Sequence, residues 1–193
     1  SMAAMSALSP RAYAAGSDKI RLGVIGCGGR GTHDTTRALL ADDNVELIAM
    51  GDLFQGSLDA CRARLTRQPE EGENPIRDKV KVTDETCFVG WDAYKKVLAT
   101  DVDMVILTTP PHFRPMHIQA AFEAGKHVFA EKPVAVDPVG VRSVIASGEL
   151  ADRKGLTFVA GTQMRRISHL VEAMKRIHDG ALGTIQSGQC FRL

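Results

Sequence analysis

Two stretches of the chain hold residue types whose order could do chemistry. Glu131-Lys132-Pro133 follows the short apolar run His127-Val128-Phe129-Ala130. The carboxyl ends of strands are where open α/β sheets hold ligands, and a charged amine buried there is costly without a partner or a task. Upstream, Gly26-Cys27-Gly28-Gly29-Arg30-Gly31 spells G-x-G-x-x-G directly after another strand-like run. Together the two stretches predict a dinucleotide cofactor lying beside a catalytic lysine, Lys132.

Each position in the glycine run has an expected task. Gly26 permits the tight turn, Gly28 lets the backbone approach a pyrophosphate, and Gly31 allows close packing of helix on strand. Cys27 and Gly29 complete the turn and are cofactor-binding candidates with it. Arg30 could add a charge-assisted bond to the phosphates, beside the N–H groups and positive dipole end of the helix that follows. Asp52, about 20 residues beyond the glycines, stands where a carboxylate accepts bonds from adenosine ribose hydroxyls and repels a 2′-phosphate. Leu53 and Phe54 bring no basic group to reverse that preference, so NAD is expected over NADP. An Asp that only caps a helix in a β–α loop is the alternative.

Thr109-Pro110-Pro111-His112-Phe113-Arg114-Pro115-Met116-His117 is a proline-fixed loop that could line the nicotinamide half of a cleft. Thr109, Pro110 and His117 are its cofactor-binding candidates, although His117 could equally cap or pack the next helix. Gln163 and Arg165 face the same cleft or are plain surface residues.

Positioning these groups requires strands that end where the motifs begin. Ile20, Leu22, Val24 and Ile25 mark a first strand, Val45 to Met50 a second, and Val80-Lys81-Val82 a short third. The continuous apolar run Met104-Val105-Ile106-Leu107 marks a fourth, as expected of a central parallel strand covered on both faces. His127–Ala130 and Thr157–Ala160 complete six. Between them, Leu58, Cys61 and Leu65 space as one helix face, as do Tyr94, Val97 and Leu98, and Ile118, Ala121 and Phe122 before Gly125. The polar stretch from Arg67 to Asp78, with Pro69, Gly72 and Pro75, reads as a surface loop. Asp137-Pro138 opens a helix in the favoured order of cap then proline, with Val141, Val144 and Ile145 as its buried stripe. The alternation predicts an α/β fold, a doubly wound parallel sheet of the Rossmann type.

Beyond it, Leu170, Val171, Met174 and Ile177 mark a further helix ended by Gly180. A last strand is expected over Thr184–Phe191 with no later partner, an edge liability. The expected organisation is therefore a leader over 1–18, a dinucleotide-binding domain over 19–162, and the beginning of a truncated second α/β domain over 163–193. Within the leader, Ser1-Met2 reads as a remnant of tag cleavage. Ala12-Tyr13-Ala14 fits the A-x-A pattern of a clipped export signal, which makes a periplasmic or otherwise exported location the expectation and a cytoplasmic one the alternative. The leader should be disordered.

Composition narrows the partners. A net charge of +1 gives no support to nucleic acid or a membrane surface, and no apolar run approaches the roughly 20 residues that span a bilayer. Cys27, Cys61, Cys87 and Cys190 show neither metal-ligand spacing nor a disulfide framework.

The glycine run, the Thr109-Pro110…His117 loop and Gly125-Lys126-His127-Val128…Glu131-Lys132-Pro133, in this order and spacing, resemble the Gfo/Idh/MocA family, the glucose-fructose oxidoreductase and inositol dehydrogenase group. The resemblance spans Lys19 to the C-terminus and is most specific at Glu-Lys-Pro. It implies NAD or NADP in the Rossmann domain and oxidation or reduction of a hydroxyl carbon of a sugar, cyclitol or related polyol. By that resemblance Lys132 bonds the reacting hydroxyl and helps move its proton, Glu131 contacts the nicotinamide ribose or orients the lysine, and Pro133 fixes the turn, possibly with a cis bond. It also implies a larger second domain that supplies a further acid and histidine, the substrate pocket and a homo-oligomer interface. Two other functions stay open. One is a glycoside hydrolase or lyase working by transient oxidation and elimination on tightly held NAD. The other is a nucleotide-binding fragment without turnover of its own.

Overall fold

The computed structural model describes residues 18–67 and 74–191. The expected leader, apart from Asp18, and the prolyl and glycyl part of the predicted loop at Pro69 and Gly72 lie outside the described residues. Six strands form one sheet of order β3-β2-β1-β4-β5-β6, and each strand pairing described is parallel. The chain divides into two compact units at Thr108/Thr109.

The first unit begins with β1 (Ile20–Ile25), α1 (Gly29–Ala41) and β2 (Val45–Asp52). Arg21 is pinned at the start of β1 by Asp103, whose carboxylate accepts from the guanidinium at 2.8 Å and from the Arg21 amide at 2.8 Å. Leu22, Val24 and Ile25 are buried, as are Val105, Ile106 and Leu107 of β4 (Met104–Leu107), so these adjacent strands are covered on both faces. Helix α2 (Gln55–Thr66) buries Leu58, Cys61 and Leu65, the face read from their spacing. Helix α3 (Ala93–Leu98) buries Tyr94, Val97 and Leu98.

The third strand is not where the sequence pattern put it. Val80 makes only an isolated bridge to Leu47, and β3 is Cys87–Val89, paired with Met50–Asp52. Lys79, just before the expected strand, donates to the carbonyls of Leu39 and Asp42 at 2.8 and 3.0 Å and fixes the chain against the end of α1. A capping box between Thr83 and Thr86 then turns the backbone before it returns to the sheet edge.

The second unit holds α4 (Arg114–Glu123), β5 (His127–Ala130), α5 (Pro138–Lys154), β6 (Phe158–Ala160) and α6 (Ser168–His178). Asp137 caps α5 as expected, accepting from the Gly140 amide at 2.6 Å. The buried stripe of α5 is Val144, Ser147 and Ala151, whereas Val141 and Ile145 are exposed. At 100° per residue the last two point roughly 80–120° away from the buried direction. Helix α6 buries none of its apolar residues. Thr184–Phe191 is exposed and forms no strand among the described residues. A strand is stable only with a hydrogen-bonded neighbour, and this segment has none there. No helix among the described residues is long and apolar enough to cross a membrane.

Candidate active site

The glycine run builds a close turn between β1 and α1. Gly26 has φ +99°, a conformation that side chains other than glycine rarely adopt, and its amide donates to the Gly51 carbonyl at 2.8 Å. Gly31 sits against the same residue from above. A Cβ there would drive into the Gly26 carbonyl oxygen and lie 2.8 Å from Thr108 Oγ1. Thr108 in turn donates from Oγ1 to that carbonyl at 2.5 Å. Gly28 and Gly29 are the opposite case, exposed and with nothing within 4 Å of an added Cβ. No side chain caps α1 at Gly28. Backbone amides at an open, uncapped helix start suit an anion, so the turn fits a pyrophosphate. Arg30 is drawn along the helix to Asp34, with Nε 3.1 Å from Oδ2.

Asp52 ends β2 beside this turn. Its Oδ2 accepts from the Cys27 amide at 2.6 Å and its Oδ1 from the Phe54 amide at 2.9 Å, while the Asp52 carbonyl accepts from the Gly90 amide at 3.0 Å. It is not the cap of α2. Each carboxylate oxygen has a second lone pair left to meet a ribose hydroxyl. Cys27 is buried, and a hydrogen bond with Cys61 and then desolvation hold its thiol far above the ordinary range. Cys27 therefore stays a neutral thiol, and it serves the turn through its backbone. Cys61 is buried as well, Cys87 is half-buried and Cys190 is exposed, all four with free thiols.

The second unit carries the proposed reacting lysine. The structure reverses one expectation here: the buried charge after β5 is Glu131, 3% exposed, and Lys132 is exposed. Lys132 leaves the strand end, where a side chain can meet a ligand without its own permanent desolvation. The Glu131 carboxylate folds back so that Oε2 accepts from the Lys132 amide at 3.1 Å. Gly161, after β6, leaves room for that carboxylate, because a Cβ there would overlap Oε1 and lie 2.7 Å from Cδ. The Lys132–Pro133 bond is cis.

Arg114, at the start of α4, is the residue that sequence reading missed. It is 5% exposed, and its Nη1 donates to the carbonyl of Glu131 at 2.7 Å and to the carbonyl of Pro133. Its Nε has no hydrogen-bond partner among the described residues. Burial lowers its affinity for the proton and the Glu131 charge opposes that shift. Within a run of Pro, His and Phe it reads as one more loop residue, and only its place opposite the Glu-Lys-Pro turn reveals it.

His117 lies on the buried side of α4. Thr109 Oγ1 and His117 Nδ1 are hydrogen-bonded at 3.1 Å, the ring stacks on Phe113, and burial depresses its pKa to about 4. With that pKa it is neutral at physiological pH. Pro110 is exposed, as are Gln163 and Arg165 in the turn over Gln163–Arg166.

Parallel strands with crossover helices, a glycine turn open to an anion and an acid at the end of the second strand define a Rossmann dinucleotide-binding domain. Residues 20–162 match the family model of the Gfo/Idh/MocA oxidoreductases, an NAD-binding Rossmann fold, and the chain belongs to that family. Inositol 2-dehydrogenase 4 of Saccharopolyspora erythraea is 31% identical over 166 residues, 86% of this chain and 43% of that protein. The 2,7-anhydro-N-acetylneuraminate hydratase of Escherichia coli K12 is 30% identical over 134 residues, 69% of this chain and 34% of that protein. Among solved structures, scyllo-inositol dehydrogenase from Lactobacillus casei with bound NAD(H) and scyllo-inositol shares the fold, with a TM-score of 0.65 at 22% identity over 86% of this chain and 42% of that one. The chain thus spans less than half the length of these proteins.

Proposed function

We propose that this chain is the cofactor-binding part of an NAD-dependent dehydrogenase that acts on a hydroxyl-bearing carbon of a cyclitol, sugar or related polyol. The observation that carries the reading is an exposed lysine on a turn whose buried neighbour, Glu131, holds the lysine's own amide. A fixed backbone with a free amine is what proton transfer at a bound hydroxyl requires. The inositol dehydrogenase relative supports the substrate class.

The residues present fit the cofactor. The uncapped turn over Gly26–Gly31 would receive the pyrophosphate, and Asp52 would accept bonds from the adenosine ribose hydroxyls and disfavour a 2′-phosphate there. When bound, the nicotinamide supplies the hydride acceptor. Lys132 Nζ, as the neutral amine, would bond the reacting hydroxyl and accept its proton as the hydride leaves the C–H bond for that acceptor. Glu131 keeps the lysine's backbone in place. The A-x-A stretch Ala12-Tyr13-Ala14 supports an exported protein.

The test uses the full-length protein with NAD and a panel of cyclitols and sugars, read as net NADH formation. Lys132→Met should abolish turnover and leave NAD affinity within about two-fold of the parent; unchanged turnover would remove Lys132 from the chemistry. The hydratase relative favours a second reading, in which oxidation is transient and the cofactor ends unchanged. Product release without NADH accumulation identifies that case.

A further inference from the structure

We infer that Arg114 is the positioning residue for Lys132, through a guanidinium clasp on the two carbonyls that bracket it. The inference rests on the dehydrogenase reading of Lys132. The Lys132 side chain is exposed, so little packing holds it. What sets its direction is the backbone on either side. Arg114 Nη1 takes the carbonyl of the residue before, Glu131, and that of the residue after, Pro133. One rigid, always-charged group thereby spans the peptide units that carry the lysine. The Glu131 carboxylate adds a second hold on the Lys132 amide, and Gly161 gives that carboxylate its place.

The chemistry of the clasp sets it apart from ordinary packing. A buried guanidinium with an unpartnered Nε is a costly way to fill space. A leucine or methionine would fill it without that penalty. The donors also go to backbone oxygens flanking a single residue. Loss of the clasp should leave nucleotide binding in place, because the glycine turn and Asp52 belong to a different unit of the chain. It should misdirect the lysine, and displacement of a reacting group by about 1 Å is enough to cost about 100-fold in rate.

The experiment uses the full-length protein carrying Arg114→Met or Arg114→Lys. NAD affinity is measured by calorimetry, kcat with the active polyol, and acetylation of Lys132 by mass spectrometry with and without saturating NAD. In the parent, bound NAD should shield Lys132 from acetylation. Arg114→Met should lose that shielding and about 100-fold in kcat, with NAD affinity within about two-fold. Arg114→Lys, which keeps the charge and can reach one carbonyl, should recover part of both. Shielding and kcat unchanged in folded Arg114→Met overturn the inference. So does a joint fall of kcat, NAD affinity and melting temperature with no recovery in Arg114→Lys, or failure of both variants to fold, since either outcome assigns Arg114 to packing. Absence of shielding in the parent protein instead overturns the placement of Lys132 by the cofactor, and the Arg114 inference with it.

Discussion

Alanine at Gly31 and alanine at Gly28 should have different consequences, although the two glycines share one turn. At Gly31 a Cβ meets the Gly26 carbonyl and sits 2.8 Å from Thr108 Oγ1 and 3.0 Å from the Gly26 carbonyl carbon. The obstruction is backbone and cannot rotate aside, so the cost belongs at the upper end of overpacking, about 3 kcal/mol. Alanine for glycine within a helix returns about 1 kcal/mol. The net loss of about 2 kcal/mol corresponds to about 4–8 °C in melting temperature for a chain of this size. Gly28, by contrast, has φ −69° and nothing within 4 Å of an added Cβ. Gly28→Ala should therefore stay within about 0.5 kcal/mol of the parent in stability. Its methyl group nevertheless stands where a phosphate must approach, and the dissociation constant for NAD should rise at least about ten-fold, about 1.4 kcal/mol. Thermal melting and calorimetric NAD titration of both variants make the comparison. A Gly31→Ala protein as stable as the parent would refute the close-approach account, and a Gly28→Ala protein that binds NAD normally would refute the phosphate placement.

Three further outcomes follow from other parts of the molecule. Gly161→Ala should push the Glu131 carboxylate off the Lys132 amide and lower turnover of the full-length protein by at least about ten-fold, with NAD affinity measured alongside and expected to hold. His117 is buried with a folded pKa of about 4, below the unfolded value of 6.5, so its neutral form contributes stability that is present above pH 6.5 and is lost as pH falls toward 4. Between pH 7 and pH 5 the parent should lose on the order of 2 kcal/mol from this group. His117→Asn should flatten that slope in urea denaturation, and an unchanged slope would exclude His117 as its source. Asp137→Ala removes the cap of α5 and should cost about 1 kcal/mol, read as a drop of about 2–4 °C in melting temperature.

The parts of the fold that sequence conveyed are those in which local pattern and burial share one cause. The apolar runs of β1 and β4 are continuous because both faces are covered, and Leu58, Cys61 and Leu65 recur at helical spacing because α2 has one inner face. Asp137 was legible because a cap is chemistry local to its own helix. The failures are non-local. Val80–Val82 has strand composition, but the sheet edge is occupied by Cys87–Val89, and composition does not reveal which segment wins a neighbour. Val141 and Ile145 are as apolar as Val144, and only the direction of packing separates them. In the turn after β5, sequence reading put the buried charge on the lysine, whereas Glu131 is the buried one and Lys132 is exposed. Arg114 lies 17 residues before Glu131 and has no motif of its own, so its clasp is visible only in three dimensions.

Asp52 serves two ends with one carboxylate. In the proposed reading it meets the adenosine ribose, and it fastens the Cys27 amide inside the glycine turn and the Phe54 amide at the start of the next helix. Exchanging that acid in order to redirect the domain to a phosphorylated cofactor would remove a fastener together with a selector. Two amides would lose their acceptor, and the grip on every dinucleotide would loosen before any new one was gained. A route to altered cofactor use in this chain must first give the Cys27 amide another acceptor and only then place a cation at position 53 or 54. On that reading a single substitution at Asp52 would unfasten the glycine turn in the same step that altered the ribose contact.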